Sequence, residues 1–150
     1  MARTLIALLA ALALIASGCG GGDDGGDGGG GSDKPAAASP TEAADKFIDC
    51  FDKQGYEAVH PEAGQESLFA LQAKKSGYDA VAVNVAKPGS IAADAYLVFF
   101  KDEAEAQKAL DDVGVQTAGD TPPLERGQAI AGYLDDDAKS TLEPAITNCL

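Results

Sequence analysis

A chain of 150 residues with a formal net charge of −13 has the length of one domain, and its acidic balance repels phosphate backbones and anionic headgroups. Nucleic acid is therefore not a natural partner. The charge suits a solubilising surface, or more specifically one that meets cations or basic groups.

The first element is a leader. Arg3 is its single basic residue, and residues 5–16 follow as an unbroken apolar run, LIALLAALALIA. Twelve helical residues cover about 18 Å, well short of a bilayer core of about 30 Å. A basic start, a short apolar run and small residues behind it form a secretory signal, expected over 1–18. The run ends in Ala16-Ser17-Gly18-Cys19, which resembles the lipobox of bacterial lipoproteins. Ala16 departs from the pattern, since Leu is commonest at that place. The resemblance implies that the Cys19 thiol carries a diacylglycerol, the palmitate-type anchor of such proteins, and that the chain is cut just before it. It places the mature protein on the extracytoplasmic face of the cell membrane, with the bilayer as its first partner.

Residues 19–39 hold the lipidated cysteine and a tether, GGGDDGGDGGGGSDKPAAAS, without apolar periodicity. As a flexible coil it spans roughly 25 Å. Its Asp-Gly runs lack the apolar residue that a calcium-binding β-roll repeat needs. No strand precedes its glycines, so it is not a nucleotide loop either.

The folded part is expected over 40–150 as a single small α+β domain. Ser39 suits a helix N-cap, Pro40 the first turn and Glu42 a capping box. Ala43, Ala44, Phe47, Ile48 and Phe51 then share one helical face with Cys50 on its flank, and Gly55 stops the helix. Residues 56–60 are short and β-prone, closed by Pro61. Residues 65–76 read as a helix presenting Leu68, Leu71, Gln72 and Lys75, with Gly77 as its stop. Residues 78–87 alternate as a strand, with Val81, Val83 and Val85 on one side and Ala80, Ala82, Asn84 and Ala86 on the other. Pro88-Gly89-Ser90 turns the chain into 95–100, apolar on both sides like a central strand. Asp102 and Glu105 mark a second capping box, opening a helix that buries Ala106, Ala109, Leu110 and Val113 before Gly114. A loop with Pro122-Pro123 leads to a last strand over 128–134. The closing helix carries Leu142, Ala145, Ile146, Cys149 and Leu150 as an apolar stripe, which requires Pro144 to lie in its first turn or to kink it. The order between the two end helices predicts a ferredoxin-like βαββαβ two-layer sandwich with an extra helix at each end.

With Cys19 acylated, Cys50 and Cys149 are the one remaining pair. They are expected to form a structural disulfide if both end helices pack on the same side of the sheet. No catalytic, cofactor or metal site is expected. His60 stands alone between Val59 and Pro61, and no H-E-x-x-H, G-x-S-x-G or S-x-x-K pattern occurs. Asp135, Asp136 and Asp137 read as a helix start favoured by the macrodipole, with cation binding as the lesser reading. Beyond the lipobox, the Ala- and Gly-rich composition, the passage from Tyr96-Leu97-Val98-Phe99-Phe100 into Glu103-Ala104-Glu105-Ala106 and the closing Asn148-Cys149-Leu150 resemble small uncharacterised lipoproteins of high-GC Gram-positive bacteria. That resemblance implies no activity. The function expected is a non-enzymatic binding or interaction module for an envelope protein or small ligand. The competing readings are an envelope hydrolase using Glu57 and Asp135 to Asp137, and a purely structural envelope component.

Overall fold

A computed structural model describes residues 38–115 and 121–150. The leader, Cys19 and the tether as far as residue 37 lie outside the described residues. So do residues 116–120 of the loop before Pro122-Pro123.

The first helix, α1 (Pro40–Lys53), begins where its caps predict. The Ser39 hydroxyl accepts from the Glu42 amide, and Pro40 occupies the first turn without wasting a donor. The Glu42 carboxylate does not close the capping box and pairs instead with Lys46, one turn on. Strand β1 (Glu57–Val59) follows, then α2 (Leu68–Lys75), β2 (Val81–Ala86) and β3 (Ala95–Phe99). Helix α3 (Glu103–Val113) opens on Asp102, whose carboxylate accepts from the Glu105 amide. A short hairpin of β4 (Leu124–Arg126) and β5 (Ala129–Tyr133) leads to α4 (Asp136–Cys149).

The five strands form one antiparallel sheet in the order β1-β2-β3-β5-β4. The α+β class is as expected, but the ferredoxin-like order is not what forms. That fold needs two strand-helix-strand units, each split by an inserted strand. Here β5 lies between β3 and β4, so the second half has that form. In the first half β1 and β2 are direct antiparallel neighbours with α2 between them in sequence. A second difference lies at 122–126, where a strand stands in place of the expected loop. Its sequence, Leu-Glu-Arg beside two prolines, has too little alternation to read as a strand, and β5 supplies the pairing that makes it one.

The layers differ as well. The pleat sends Val83, Val85, Leu97, Phe99, Ala131 and Tyr133 to one face, where α1 and α4 cover them with Phe47, Phe51, Leu142 and Ile146. It sends Ala82, Tyr96, Val98 and Ile130 to the other, where α2 and α3 contribute Phe69, Ala70, Ala73, Ala106 and Ala109. The sheet is therefore the middle of three layers. β3 is buried along its whole length because it faces an apolar layer on each side.

Helix α2 does not bury the residues that its spacing suggested. Leu68 and Leu71 are exposed, while Phe69, Ala70 and Ala73 are buried. Ser67 caps the helix, and Phe69 turns inward to meet the edge of Phe100 with ring centroids 5.9 Å apart. The alanines of α2 share a buried cluster with Ala80 and Ala82.

Of the two expectations for Pro144, the first-turn position is not the one that forms. The residue lies in the interior of α4. Both Pro144 and Ser140, whose carbonyl loses its helical donor, are exposed. Water can satisfy that carbonyl, and the packed side of α4 keeps the apolar stripe of Leu142, Ala145 and Ile146.

The edge at β1 is closed by a side chain. Ala58 is the middle residue of β1, and its amide donates to the Asp52 carboxylate from the end of α1. An edge amide held by a charged group no longer offers a donor to an incoming strand. On the α1–α4 face, the Tyr133 hydroxyl is buried with no hydrogen-bond partner among the described residues. Burial, with the Glu143 charge adding to it, pushes this phenol well above its ordinary titration range. An unpaired buried hydroxyl opposes folding, so Tyr133→Phe is expected to stabilise the protein by about 1 kcal/mol. A rise in melting temperature of about 4 °C would register it, and a fall would show that the hydroxyl has a partner in solution.

Candidate functional site

Cys50 and Cys149 are joined by a disulfide, with their Cα atoms 5.7 Å apart. The condition for it is met, because α1 and α4 pack on the same face of the sheet. Gln54, one turn after Cys50, lays its amide nitrogen on both sulfurs and on the Ala145 carbonyl. A bond joining two packed helices from opposite ends of the domain, without a C-x-x-C spacing, is a staple rather than a redox pair.

The remaining candidates are tied into the structure. The His60 ring bridges the Asp45 carboxylate, 2.8 Å from Nε2, and the Ala82 carbonyl, 3.4 Å from Nδ1. Its neighbours in sequence, Glu57 and Glu62, are not its partners. Asp45 was hidden from sequence reasoning because it arrives from α1. Asp135 caps α4 by accepting from the Ala138 amide, Asp136 accepts from the Thr121 hydroxyl, and Asp137 pairs with Lys87 at 2.6 Å. Lys87 also lies 3.8 Å from Asp94, and its hydrogen bond to Asp137, with the nearby negative charges adding, holds its ammonium more firmly protonated. The three aspartates thus start a helix and fasten it to the end of β2. Among the described residues, no group of three or more His, Cys, Asp or Glu is placed to hold a metal ion. A further cluster on α3, Tyr78 with Lys108 and Asp112, is equally self-contained: Tyr78 donates to Asp112, and Lys108 reaches both.

One of the open cavities is a groove of about 250 Å³ beside β1. Register pairs Glu57 with Ala86 and Val59 with Asn84, so these residues share a face with Ala82. No residue of α2 or α3 lines this stretch of sheet. Its outer wall is the loop between β2 and β3, with Ser90, Ile91, Ala92 and Ala93, and Gln65 completes it. Ile91 is wholly exposed and Val59 more than half exposed. The turn at Pro88-Gly89-Ser90 was legible in the sequence, whereas the groove was not. An isoleucine immediately after a turn was the one signal available.

The groove sits at a defined end of the sheet. Phe99, Ala129 and Val81 mark the other end, where the Gln128 side chain donates to the Ala38 carbonyl and the described chain begins. Glu57, Ala86 and Ala95 mark the groove end. Near it, on β5, Gly132 lets the Tyr96 ring lie flat over the backbone: a Cβ there would stand 2.4 Å from a ring carbon. A scan of protein-family models and searches of curated proteins and of solved structures find no match to this chain.

Proposed function

We propose that the protein is an extracytoplasmic lipoprotein, held at the cell membrane by a diacylglycerol on Cys19, whose domain serves as a non-enzymatic binding or interaction module. The observation that carries this reading is the Cys50–Cys149 disulfide. It leaves Cys19 as the odd cysteine of three, at the end of an apolar run and after small residues. Structural disulfides also persist in oxidising compartments, where a secreted lipoprotein resides. Among the described residues no helix is long and apolar enough to cross a membrane. Retention would then rest on acyl chains, and two of them bind firmly at about 0.8 kcal/mol per buried CH₂. The module reading draws on the open groove and on the structural employment of the acidic cluster and His60.

Mass spectrometry of the membrane fraction is expected to find a mature chain beginning at a diacylglycerol-modified Cys19. Cys19→Ser is expected to move the protein out of that fraction. An unmodified mature chain with its start elsewhere would overturn the reading.

A further inference from the structure

The groove beside β1 carries charge of one sign. Each donor-bearing side chain that lines it spends a hydrogen bond on the protein. Asn84 gives its amide nitrogen to the Gln65 carbonyl at 3.2 Å, Ser90 gives its hydroxyl to the Ala92 carbonyl at 3.0 Å, and Gln65 gives its nitrogen to Glu62 at 3.5 Å. The acceptors that the lining side chains carry are the Asn84 and Gln65 amide oxygens, the Ser90 hydroxyl oxygen and the Glu57 carboxylate, which is the one charged group among them. Neither Glu57 nor Glu62 has a cation partner among the described residues, and no lysine or arginine lines the groove. Around these acceptors stand Val59, Ile91, Ala92 and Ala93, an apolar wall.

We propose that this groove receives a lysine or arginine side chain of a partner polypeptide, its cationic head on Glu57 and Asn84 and its aliphatic stem along Val59 and Ile91. A groove offering acceptors and negative charge selects a donor-rich cation, and an apolar wall beside it suits a stem of methylenes. The volume of about 250 Å³ is below that of drug-sized sites and leaves room for one long side chain. Val59 and Ile91 extend the apolar surface past the cavity, more than a free amine needs and as a polypeptide surface would use. Strand addition is not the mode, because Asp52 already holds the outward amide of Ala58. The inference deepens the interaction-module reading and rests on it, but it is independent of the anchor.

The test is titration of the isotopically labelled full chain in non-ionic detergent, followed by amide NMR. The probes are acetyl-Ala-Leu-Lys-Leu-Ala-amide, its Glu counterpart and n-hexylamine. The lysine peptide is expected to shift amides of residues 57–59, 84–86 and 90–93. Both Glu57→Gln and Ile91→Ser are expected to weaken it about tenfold, while Asp111→Asn, an exposed acid on α3, leaves it unchanged. The Glu peptide should leave those amides in place. Four results would overturn the proposal: no shift at millimolar peptide, equal response to the Glu peptide, equal loss in Asp111→Asn, or hexylamine binding as tightly as the peptide. The last would assign the groove to a free amine. Because lipid on Cys19 is read separately by mass, failure here and failure of the anchor are distinguishable.

Discussion

Replacing Cys50 and Cys149 together by alanine is expected to lower the stability of the domain by about 4 to 5 kcal/mol. The bond closes a loop with a sequence separation of 99, and in the chain-entropy model a loop of about 100 residues restricts the unfolded chain by about 4.7 kcal/mol. A domain of this size has roughly 5–15 kcal/mol in all, so the loss takes much of it. The native state loses little else, since both cysteines flank the α1–α4 contact rather than fill its centre. Urea denaturation of oxidised protein and of the double variant checks this, with the midpoint expected to fall by about 2–4 M. A fall of less than about 0.5 M would mean that the reduced chain keeps α1 and α4 together when otherwise unfolded.

The second large effect lies on the other face of the sheet. Phe100, immediately past β3, meets Phe69 of α2 and, edge to face at 6.3 Å, Tyr78. It is fully buried and joins α2 and α3 to the sheet. Phe100→Ala is therefore expected to cost about 3–5 kcal/mol, the range for removing a buried phenyl ring from a packed core. The neighbours that would have to collapse into the space are mostly alanines, which have no longer rotamers with which to fill it. Leu68→Ala, by contrast, is expected to cost less than about 0.5 kcal/mol, because Leu68 points to solvent. Thermal unfolding of the two variants separates these outcomes. A large loss at Leu68 would mean that α2 is rotated from the orientation described.

Much of the architecture was legible where one residue type dominated a pattern. The alternation Val81, Val83, Val85 against Ala80 and Ala82 specified a strand and both its faces, and the two faces do enter different cores. Ser39, Asp102 and Asp135 marked three helix starts through the same chemistry, a side-chain oxygen on an amide three residues on. What failed was whatever tertiary contact decides. The rotation of α2 is set by Phe100 and by alanines elsewhere in the chain, which the eight-residue helix cannot reveal by itself. β4 exists because β5 pairs with it. Strand order depends on which edge a helix returns the chain to, and no periodicity encodes that.

For the site the contrast is sharper. Cysteine arithmetic reached Cys50 and Cys149 because few cysteines leave few choices. The partners of His60 and Asp137 come from α1 and from the end of β2, so neighbours in sequence misled. The groove is built from residues of four segments, none of which announces it by a motif.

The staple between α1 and α4 also bears on force. A pull transmitted through the chain from Ala38 enters the domain at the first turn of α1, next to the beginning of the sheet's far end. Without the bond, α1 would peel from the sheet like tape, one turn at a time, and the strands would follow. With it, peeling from that end stops at Cys50, which the bond holds to α4. Only the stretch from 38 to 49 can unravel, a slack of about 40 Å when fully drawn out. The strands and the groove beside β1 then remain folded under tension, as they would need to if the protein were caught between a membrane and something that moves.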